Sequence, residues 1–266
     1  MKSIFFSISI FLVGCDTYHY VSTPNYVPVN TEKGKILANI SFNYFQLGYT
    51  FANHFSVYTA GNKKQNDFSS GIFSDCLIQC GYREKRDKFK EFNLGFSYYS
   101  TITNYLSYEI LSCMGKGTVH YFNYYQYQDD SPSPMDYSFS FNSKKATFFM
   151  QPNISFRYKE YLDLTIFSRL ILNRYYDLNS TLNSGNGYYS DAAINDRFFY
   201  DKKVVGLYFL EPGIQIRGGI NNLKFVFIYS KANNLQSNSL QYRKNNLYLG
   251  ISLSFDLLKS LNKPSP

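Results

Sequence analysis

The stretch NLYLGISLSF, from Asn246 to Phe255, decides the fold because its side chains alternate strictly between two kinds. Leu247, Leu249, Ile251, Leu253 and Phe255 are apolar, and small or polar residues and a tyrosine stand between them. A period of two indicates a β-strand, and about ten residues is the length of a tilted transmembrane strand. The stretch therefore predicts a long strand with one apolar and one polar face.

The same alternation recurs along the chain. Met150–Lys159 and Leu162–Ile171 are predicted to face each other across a tight turn at 159–161, and Tyr208–Arg217 to turn into Leu223–Tyr229. Earlier strands are predicted at Lys35–Phe42, Tyr44–Phe51, His54–Ala60, Lys90–Tyr99 and Tyr105–Cys113, with a partly alternating segment at Gly71–Arg83. Pro152 and Pro212 are expected at bulges, strand ends or an irregular edge, because proline removes a donor from the ladder.

The predicted connections alternate in length. Short turns are expected near 52–53, 84–88, 101–104, 159–161 and 218–222, and long polar loops near 62–70, 115–144, 173–203 and 231–242. Short turns on one side and long loops on the other are typical of outer-membrane barrels. We therefore predict an all-β, antiparallel, up-and-down transmembrane β-barrel of about ten strands, between eight and twelve. A soluble sheet with one wet face is the alternative that alternation alone leaves open.

Six charged residues fall on the polar face of these strands, and we predict that they face the lumen. A charge at the bilayer midplane costs about 2–4 kcal/mol, so hydrocarbon cannot be their environment. Their mixed signs predict ion pairs across neighbouring strands and a largely closed lumen. Arg157 and Asp163 flank one tight turn and are the expected first pair. The six residues are Glu109, Arg157, Asp163, Arg169, Glu211 and Arg217.

The amino terminus has the layout of a secretory signal. Lys2 gives a short positive region, residues 4–13 are largely apolar, and Gly14 precedes Cys15. Leu12-Val13-Gly14-Cys15 resembles the lipobox of bacterial lipoproteins, which implies lipidation of the Cys15 sulfur, with palmitate-type acyl chains. We accordingly expect a signal peptide at 1–14, a lipidated tether at 15–34, the barrel at 35–257 and a tail at 258–266.

Composition excludes several other classes of protein. The chain has 266 residues, 27 Tyr, 25 Phe and a formal net charge of +8, but its Lys and Arg residues are scattered. The one basic cluster, at 83–90, contains acidic residues and is interpreted as a solvated turn, so no nucleic-acid partner is expected. Cys76, Cys80 and Cys113 lack zinc-site spacing, and no His has a nucleophile–acid arrangement around it, so we expect no metal, no cofactor and no catalytic residues.

Gly250-Ile251-Ser252-Leu253-Ser254-Phe255 resembles the carboxy-terminal assembly signal of outer-membrane barrels, although eleven residues follow it. Several short stretches are also similar to uncharacterised outer-membrane β-barrel lipoproteins of the Bacteroidota type. They include Phe92–Tyr99, Gln151–Ile154 and Leu210–Gly213. The resemblance implies a barrel on a lipid anchor in the cell outer membrane, with lipid and lipopolysaccharide around it. It also implies partners in the barrel-assembly and lipoprotein-sorting machinery, and it brings no activity.

The expected function is a structural or interaction role in the cell envelope rather than an enzyme. A narrow passive pore is the first alternative. A barrel enzyme acting on envelope lipid or peptide is the second, although no motif names its acid, base or nucleophile.

Overall fold

The computed structural model describes residues 33–71, 80–128, 135–159, 161–184, 204–220, 222–236 and 245–256. Every regular element among them is a β-strand. No helix in these ranges is long and apolar enough to cross a membrane, a finding that does not bear on β-barrels. The strands are β1 Lys35–Ser41, β2 Tyr44–Ala52, β3 Phe55–Gly71, β4 Cys80–Thr103, β5 Leu106–Gln128, β6 Met135–Tyr158, β7 Leu162–Ser184, β8 Val204–Ile220, β9 Leu223–Lys231, β10 Asn233–Asn234 and β11 Asn245–Asp256.

Ten of these strands form a closed antiparallel barrel, as the sequence predicts. Each of β1 to β7 pairs with the next strand along the chain, and β8 in turn pairs with β9. Strand β9 pairs with β11, and β11 closes the ring on β1 through the register Ile40↔Ile251 to Lys35↔Asp256. The two-residue β10 adds to the upper part of β8. The predicted up-and-down barrel of about ten strands is confirmed within the described residues.

The barrel wall is much taller on one side than on the other. Strands β4 to β7 have 23 or 24 residues each, whereas β1 has 7 and β2 and β9 have 9. The chain turns tightly between β2 and β3, β4 and β5, β6 and β7, and β8 and β9, and these turns share one end of the barrel, here called the short-turn end. Strands β4 to β7 form the tall wall, which extends beyond the shorter strands at the end of the barrel opposite the short turns.

Several predicted loops are wrong because the strands continue through them. The short turn expected at 84–88 lies inside β4, and the loop expected at 62–70 is part of β3. Of the loop expected at 115–144, residues up to Gln128 belong to β5 and residues from Met135 to β6. Of the loop expected at 173–203, residues up to Ser184 belong to β7, and residues 185–203 lie outside the described ranges. Where their side chains are described, outward positions of these extensions such as Gln65, Lys88 and Thr118 are polar, so the apolar signal used to recognise strands is missing there.

Both prolines lie at irregularities of the ladder, as expected. Pro152 falls in a gap of the β6–β7 pairing, which stops at Met150↔Leu170 and resumes at Asn153↔Phe167. Pro212 stands where β8 separates from β9, because that pairing reaches only to Gly213↔Ser230. Each proline keeps a register partner on its other side, Ile110 for Pro152 and Ser168 for Pro212. The missing N–H donor therefore costs least on the side where the pairing is interrupted.

Two rings inside the barrel pack directly over glycines. A Cβ placed on Gly95 would lie 2.0 Å from Cζ of Tyr58, and one placed on Gly213 would lie 2.3 Å from Cζ of Phe167. Tyr58 and Phe167 are both buried, so neither ring has free space into which it could move. The absence of a side chain at these glycines is therefore what admits the rings.

We predict that Gly95→Ala destabilises the barrel by about 1–3 kcal/mol through overpacking. The methyl group would meet the Tyr58 ring well inside van der Waals distance. The measurement is the urea midpoint of unfolding. The double variant Gly95→Ala with Tyr58→Ala tests the cause, because removal of the ring should make the methyl group tolerable. An undiminished effect of Gly95→Ala in that background would contradict the explanation.

Candidate functional site

The two faces of the barrel wall have opposite polarity near the short-turn end. Inward positions there are polar, and many are fully buried, such as Asn39, Gln151, Thr165 and Gln215. Outward positions are apolar and exposed, such as Leu94, Ile154, Ile166 and Leu249. A water-soluble barrel places its apolar side chains inside, so this arrangement is inverted. The interior is the natural place to look for a site.

Asp163 is the centre of the first interior charge cluster. Its carboxylate accepts hydrogen bonds from Arg157 Nε at 2.9 Å, Arg217 Nη2 at 3.0 Å and Lys224 Nζ at 2.7 Å, and its side chain is fully buried. The backbone explains this convergence, because Asp163 is in register with Arg157 on β6 and with Arg217 on β8. The expected Arg157–Asp163 pair is therefore formed. Three cations share one carboxylate near the short-turn end.

A second cluster surrounds Glu211 in the middle of the barrel. Arg169 Nη1 lies 3.5 Å from Glu211 Oε2, and Arg169 Nε donates to Gln151 Oε1 at 2.7 Å. Asn246 Nδ2 donates to Glu211 Oε1 at 3.2 Å, and the Ser230 hydroxyl donates to the same oxygen. The Arg169 guanidinium also stacks on aromatic rings, with its Cζ 5.2 Å from the centroid of Phe149. This network joins side chains of β6, β7, β8, β9 and β11, which are consecutive strands of the ring.

Glu109 is also buried inside the barrel but differs from the other five predicted charges. It forms no ion pair within 4 Å among the described residues, so the expectation that all six pair across strands is wrong at this position. Its register neighbours are Tyr99 on β4 and Asn153 on β6, and neither carries a positive charge. Elsewhere in the interior, the side-chain amides of Asn39 and Asn93 are buried without a hydrogen-bond partner among the described residues.

Sequence analysis missed a third interior pair, Glu91 with Lys145. The Lys145 Nζ lies 2.5 Å from Glu91 Oε2, and both side chains are almost fully buried. Lys145 follows a segment that was interpreted as a loop, so its inward direction could not be assigned. The available signal was the position of Glu91, which falls on the polar face of the predicted strand Lys90–Tyr99.

A layer of apolar side chains closes the interior above the Glu211 cluster. Phe149, Ile171 and Phe209 stand next along β6, β7 and β8, and all three are buried. They belong to a continuous cluster that also contains Leu111, Val119, Tyr121, Phe139, Phe141, Tyr175 and Leu207. The buried side chains therefore form one contiguous apolar cluster inside the barrel.

The described histidine and cysteine side chains contact neighbouring carbonyl and amide oxygens. Across the ranges that the structure describes, no group of three His, Cys, Asp or Glu side chains is placed to hold a metal ion. His54 Nδ1 is 3.0 Å from the carbonyl oxygen of Tyr99, and His120 contacts the amide oxygen of Asn142. His120 lies in β5 rather than in the expected loop, as do Gly115 to Thr118. Cys113 is buried, and its thiol donates to the Leu94 carbonyl at 3.1 Å.

The outward face has a sharp chemical boundary on the tall wall. Going up from the short-turn end, outward positions carry no charge until Lys90 on β4, Lys116 on β5, Lys144 on β6 and Arg174 on β7. These cations stand between 10 and 14 residues from the short-turn ends of their strands. The outward positions of β1, β2, β8 and β11 carry no charge at all within the described residues.

Aromatic rings cluster on the outer surface near the short-turn end. Phe55 lies 5.4 Å from Phe96 and 5.3 Å from Tyr98 between ring centroids, and Tyr105 lies 5.9 Å from Phe156. Aromatic girdles of this kind flank the apolar band of transmembrane barrels.

Comparison with known proteins gives no relative from which a role could be transferred. No protein-family model matches the chain, and no curated protein matches it. Cys15 lies outside the described ranges, as do the other residues of 1–32 and residues 257–266. The class defined by the fold is therefore a closed ten-stranded β-barrel with a polar, ion-paired interior.

Proposed function

We propose that this chain is a lipid-anchored β-barrel protein of the bacterial outer membrane with a structural or interaction role. The observation that carries the proposal is the outward face, which is free of charge over the lower part of all ten described barrel strands. A tilted strand of about 9–11 residues crosses the hydrocarbon core. On β4 to β7 the first outward cations follow 10 to 14 residues from the short-turn end, which leaves room for such a crossing. Polar side chains inside and apolar side chains outside suit a barrel whose solvent is lipid.

A structural role is favoured over transport because the interior is packed. Asp163 and Glu211 bind the surrounding cations and amides, and the apolar layer at Phe149, Ile171 and Phe209 lies across the lumen. A narrow pore remains the alternative that the unpartnered amides of Asn39 and Asn93 favour, because such groups bind water. Stable single-channel conductance in planar bilayers would favour that alternative.

The proposal is tested by membrane fractionation together with heat-modifiability on gels. Folded outer-membrane barrels resist detergent without heating and migrate differently after boiling, so we expect two bands from the outer-membrane fraction. The band of the unboiled protein should also form when the purified chain is refolded into phosphatidylcholine vesicles. Recovery of the chain as a soluble periplasmic protein would reject the proposal.

We predict that Cys15→Ala abolishes lipid attachment without preventing barrel formation. Cys15 supplies the only thiol in the predicted lipobox, and each buried CH₂ of an acyl chain contributes about 0.8 kcal/mol to membrane binding. The measurement is incorporation of labelled palmitate. Cys113→Ala is the matched control, because it removes a buried barrel thiol and should leave labelling unchanged. Unchanged labelling of Cys15→Ala would contradict the lipobox interpretation.

A further inference from the structure

Five outward-facing cations form a basic band around the tall wall. The band consists of Lys63, Lys90, Lys116, Lys144 and Arg174, one each on β3 to β7, and all five side chains are exposed. The register brings the members close together. Lys63 is directly opposite Lys90, and Lys90 and Lys144 are both opposite Thr118. Five adjacent strands thus present positive charge at nearly one level.

The basic band is poorly neutralised by the protein itself. Lys144 pairs with Asp177 at 2.7 Å, but both side chains of this pair are well exposed. No carboxylate of the described residues lies within 4 Å of Lys63, Lys90 or Lys116. On β4, the acidic side chains nearest to Lys90 in sequence, Asp87 and Glu91, are buried on the inward face. Like charges directly opposite each other on neighbouring strands are destabilising. An anion bound between Lys63 and Lys90 would relieve their repulsion.

Exposed apolar side chains lie immediately below the band on the same outer surface. Phe92 is in register with Lys116, Met114 is two residues below Lys116, and Phe148 is four residues below Lys144. The band also borders an open depression of about 1110 Å³. Its lining includes Phe42, Phe45 and Phe92 together with Lys63, Lys90 and Lys116. An occupant that is anionic above and apolar below would match both halves of this surface.

We propose that the basic band binds the headgroup of a phosphorylated glycolipid of the lipid A type, with its acyl chains on the apolar surface below. This inference rests on the proposed function, which places the band at the upper edge of the bilayer. Neighbouring strands are about 4.8 Å apart, so five strands span roughly 19 Å, more than one phosphate can contact. A headgroup with two separated phosphates uses the width of the band better than a glycerophospholipid does. Barrels of this class direct their short turns to the periplasm, which places the band at the outer leaflet.

The test uses the full chain refolded into phosphatidylcholine vesicles that contain diphosphoryl lipid A. Bound lipid is titrated by the shift in thermal unfolding and counted by native mass spectrometry after mild extraction. Lys90→Gln with Lys116→Gln should weaken lipid A binding about 25-fold, on the order of fivefold for each cation removed. Lys33→Gln with Lys159→Gln is the matched control, because both residues are exposed cations that lie away from the band. We expect its affinity to equal that of the unmodified protein.

Each other outcome has a defined meaning. Equal affinity of the band variant and the unmodified protein would overturn the site. Equally tight binding of phosphatidylglycerol would overturn the two-phosphate headgroup, and competition by millimolar inorganic phosphate alone would overturn the lipid as the source of the anion. Failure of the chain to insert into pure phosphatidylcholine would reject the proposed function and the site with it. Normal insertion without any lipid A dependence would reject the site alone.

Discussion

Asp163→Ala is expected to destabilise the folded barrel by about 3–5 kcal/mol, the cost of removing one partner from a buried ion pair. Asp163 is fully buried and is the shared acceptor of Arg157, Arg217 and Lys224. Its loss would leave three cations with no carboxylate within the cluster, in an interior where Arg217 is itself almost fully buried. The measurement is the free energy of unfolding in urea, with the barrel in phosphatidylcholine vesicles.

Asp177→Ala provides the control for that result. The distance between Lys144 Nζ and Asp177 Oδ2 is 2.7 Å, the same as that between Lys224 Nζ and Asp163 Oδ2. The Asp177 side chain, however, is 60% exposed. Exposed pairs contribute about 0–1 kcal/mol, so Asp177→Ala should have a small effect. Comparable losses for Asp163→Ala and Asp177→Ala would show that the interior cluster is not an energetically coupled unit.

The lower half of the barrel could be predicted from sequence because each strand there has one uniformly apolar face. In the hairpin of β6 and β7, Ile154 and Ile166 are exposed and Ser155 and Thr165 are buried, as alternation predicts. Because side chains of a strand alternate between two faces, either the odd-numbered or the even-numbered residues point into the barrel. The charged residues decide between these two choices, since they must lie on the inward face. The same reasoning placed Arg157 and Asp163 together, since a tight turn fixes their register.

The upper half could not be predicted in the same way because the polarity of the wall changes along single strands. On β5, Ile110 points outward and Glu109 inward, but eight to twelve residues later Thr118 points outward and Val119 and Tyr121 point inward. A search for an apolar outward face therefore stops at the change and interprets the remainder as loop. The alternation itself continues, with its two faces exchanged. This exchange, rather than a loss of pattern, is therefore what was interpreted as loop.

Contacts between strands that are not neighbours in the sheet could not be predicted from the sequence, for a different reason. Lys224 reaches Asp163 from β9, and Asn246 reaches Glu211 from β11, although 61 and 35 residues separate the partners. Which side chains meet across a lumen depends on strand number and stagger together, and alternation fixes neither. Glu109 illustrates the same point. Its inward direction could be predicted from the alternation, but whether a cation of the described residues lies within reach of it depends on strand number and stagger.

Leu170→Arg should destabilise the barrel by about 2–4 kcal/mol in a bilayer, because an arginine at the midplane loses its hydration. Leu170 is 52% exposed on the outer face of β7. The outward positions of this strand from Leu162 to Leu172 carry no charge, and the first outward cation is Arg174. The expected result depends on lipid as the surroundings of that face. In water the same substitution at a half-exposed site would change stability by about 0.5 kcal/mol or less. Unfolding in urea from phosphatidylcholine vesicles measures the difference.

Asn179→Arg is the matched control, since Asn179 is exposed on the same strand but lies above Arg174. A cation there joins a surface that is already basic and polar, so only a small change in stability is expected. The comparison holds the strand and the introduced residue constant and varies the level along the wall. Because the hydrocarbon core has edges, the cost of arginine must fall steeply between Leu170 and Asn179 if the uncharged surface is embedded. Equal stability of the two variants in vesicles would mean that water covers both levels, and the membrane proposal would then be wrong.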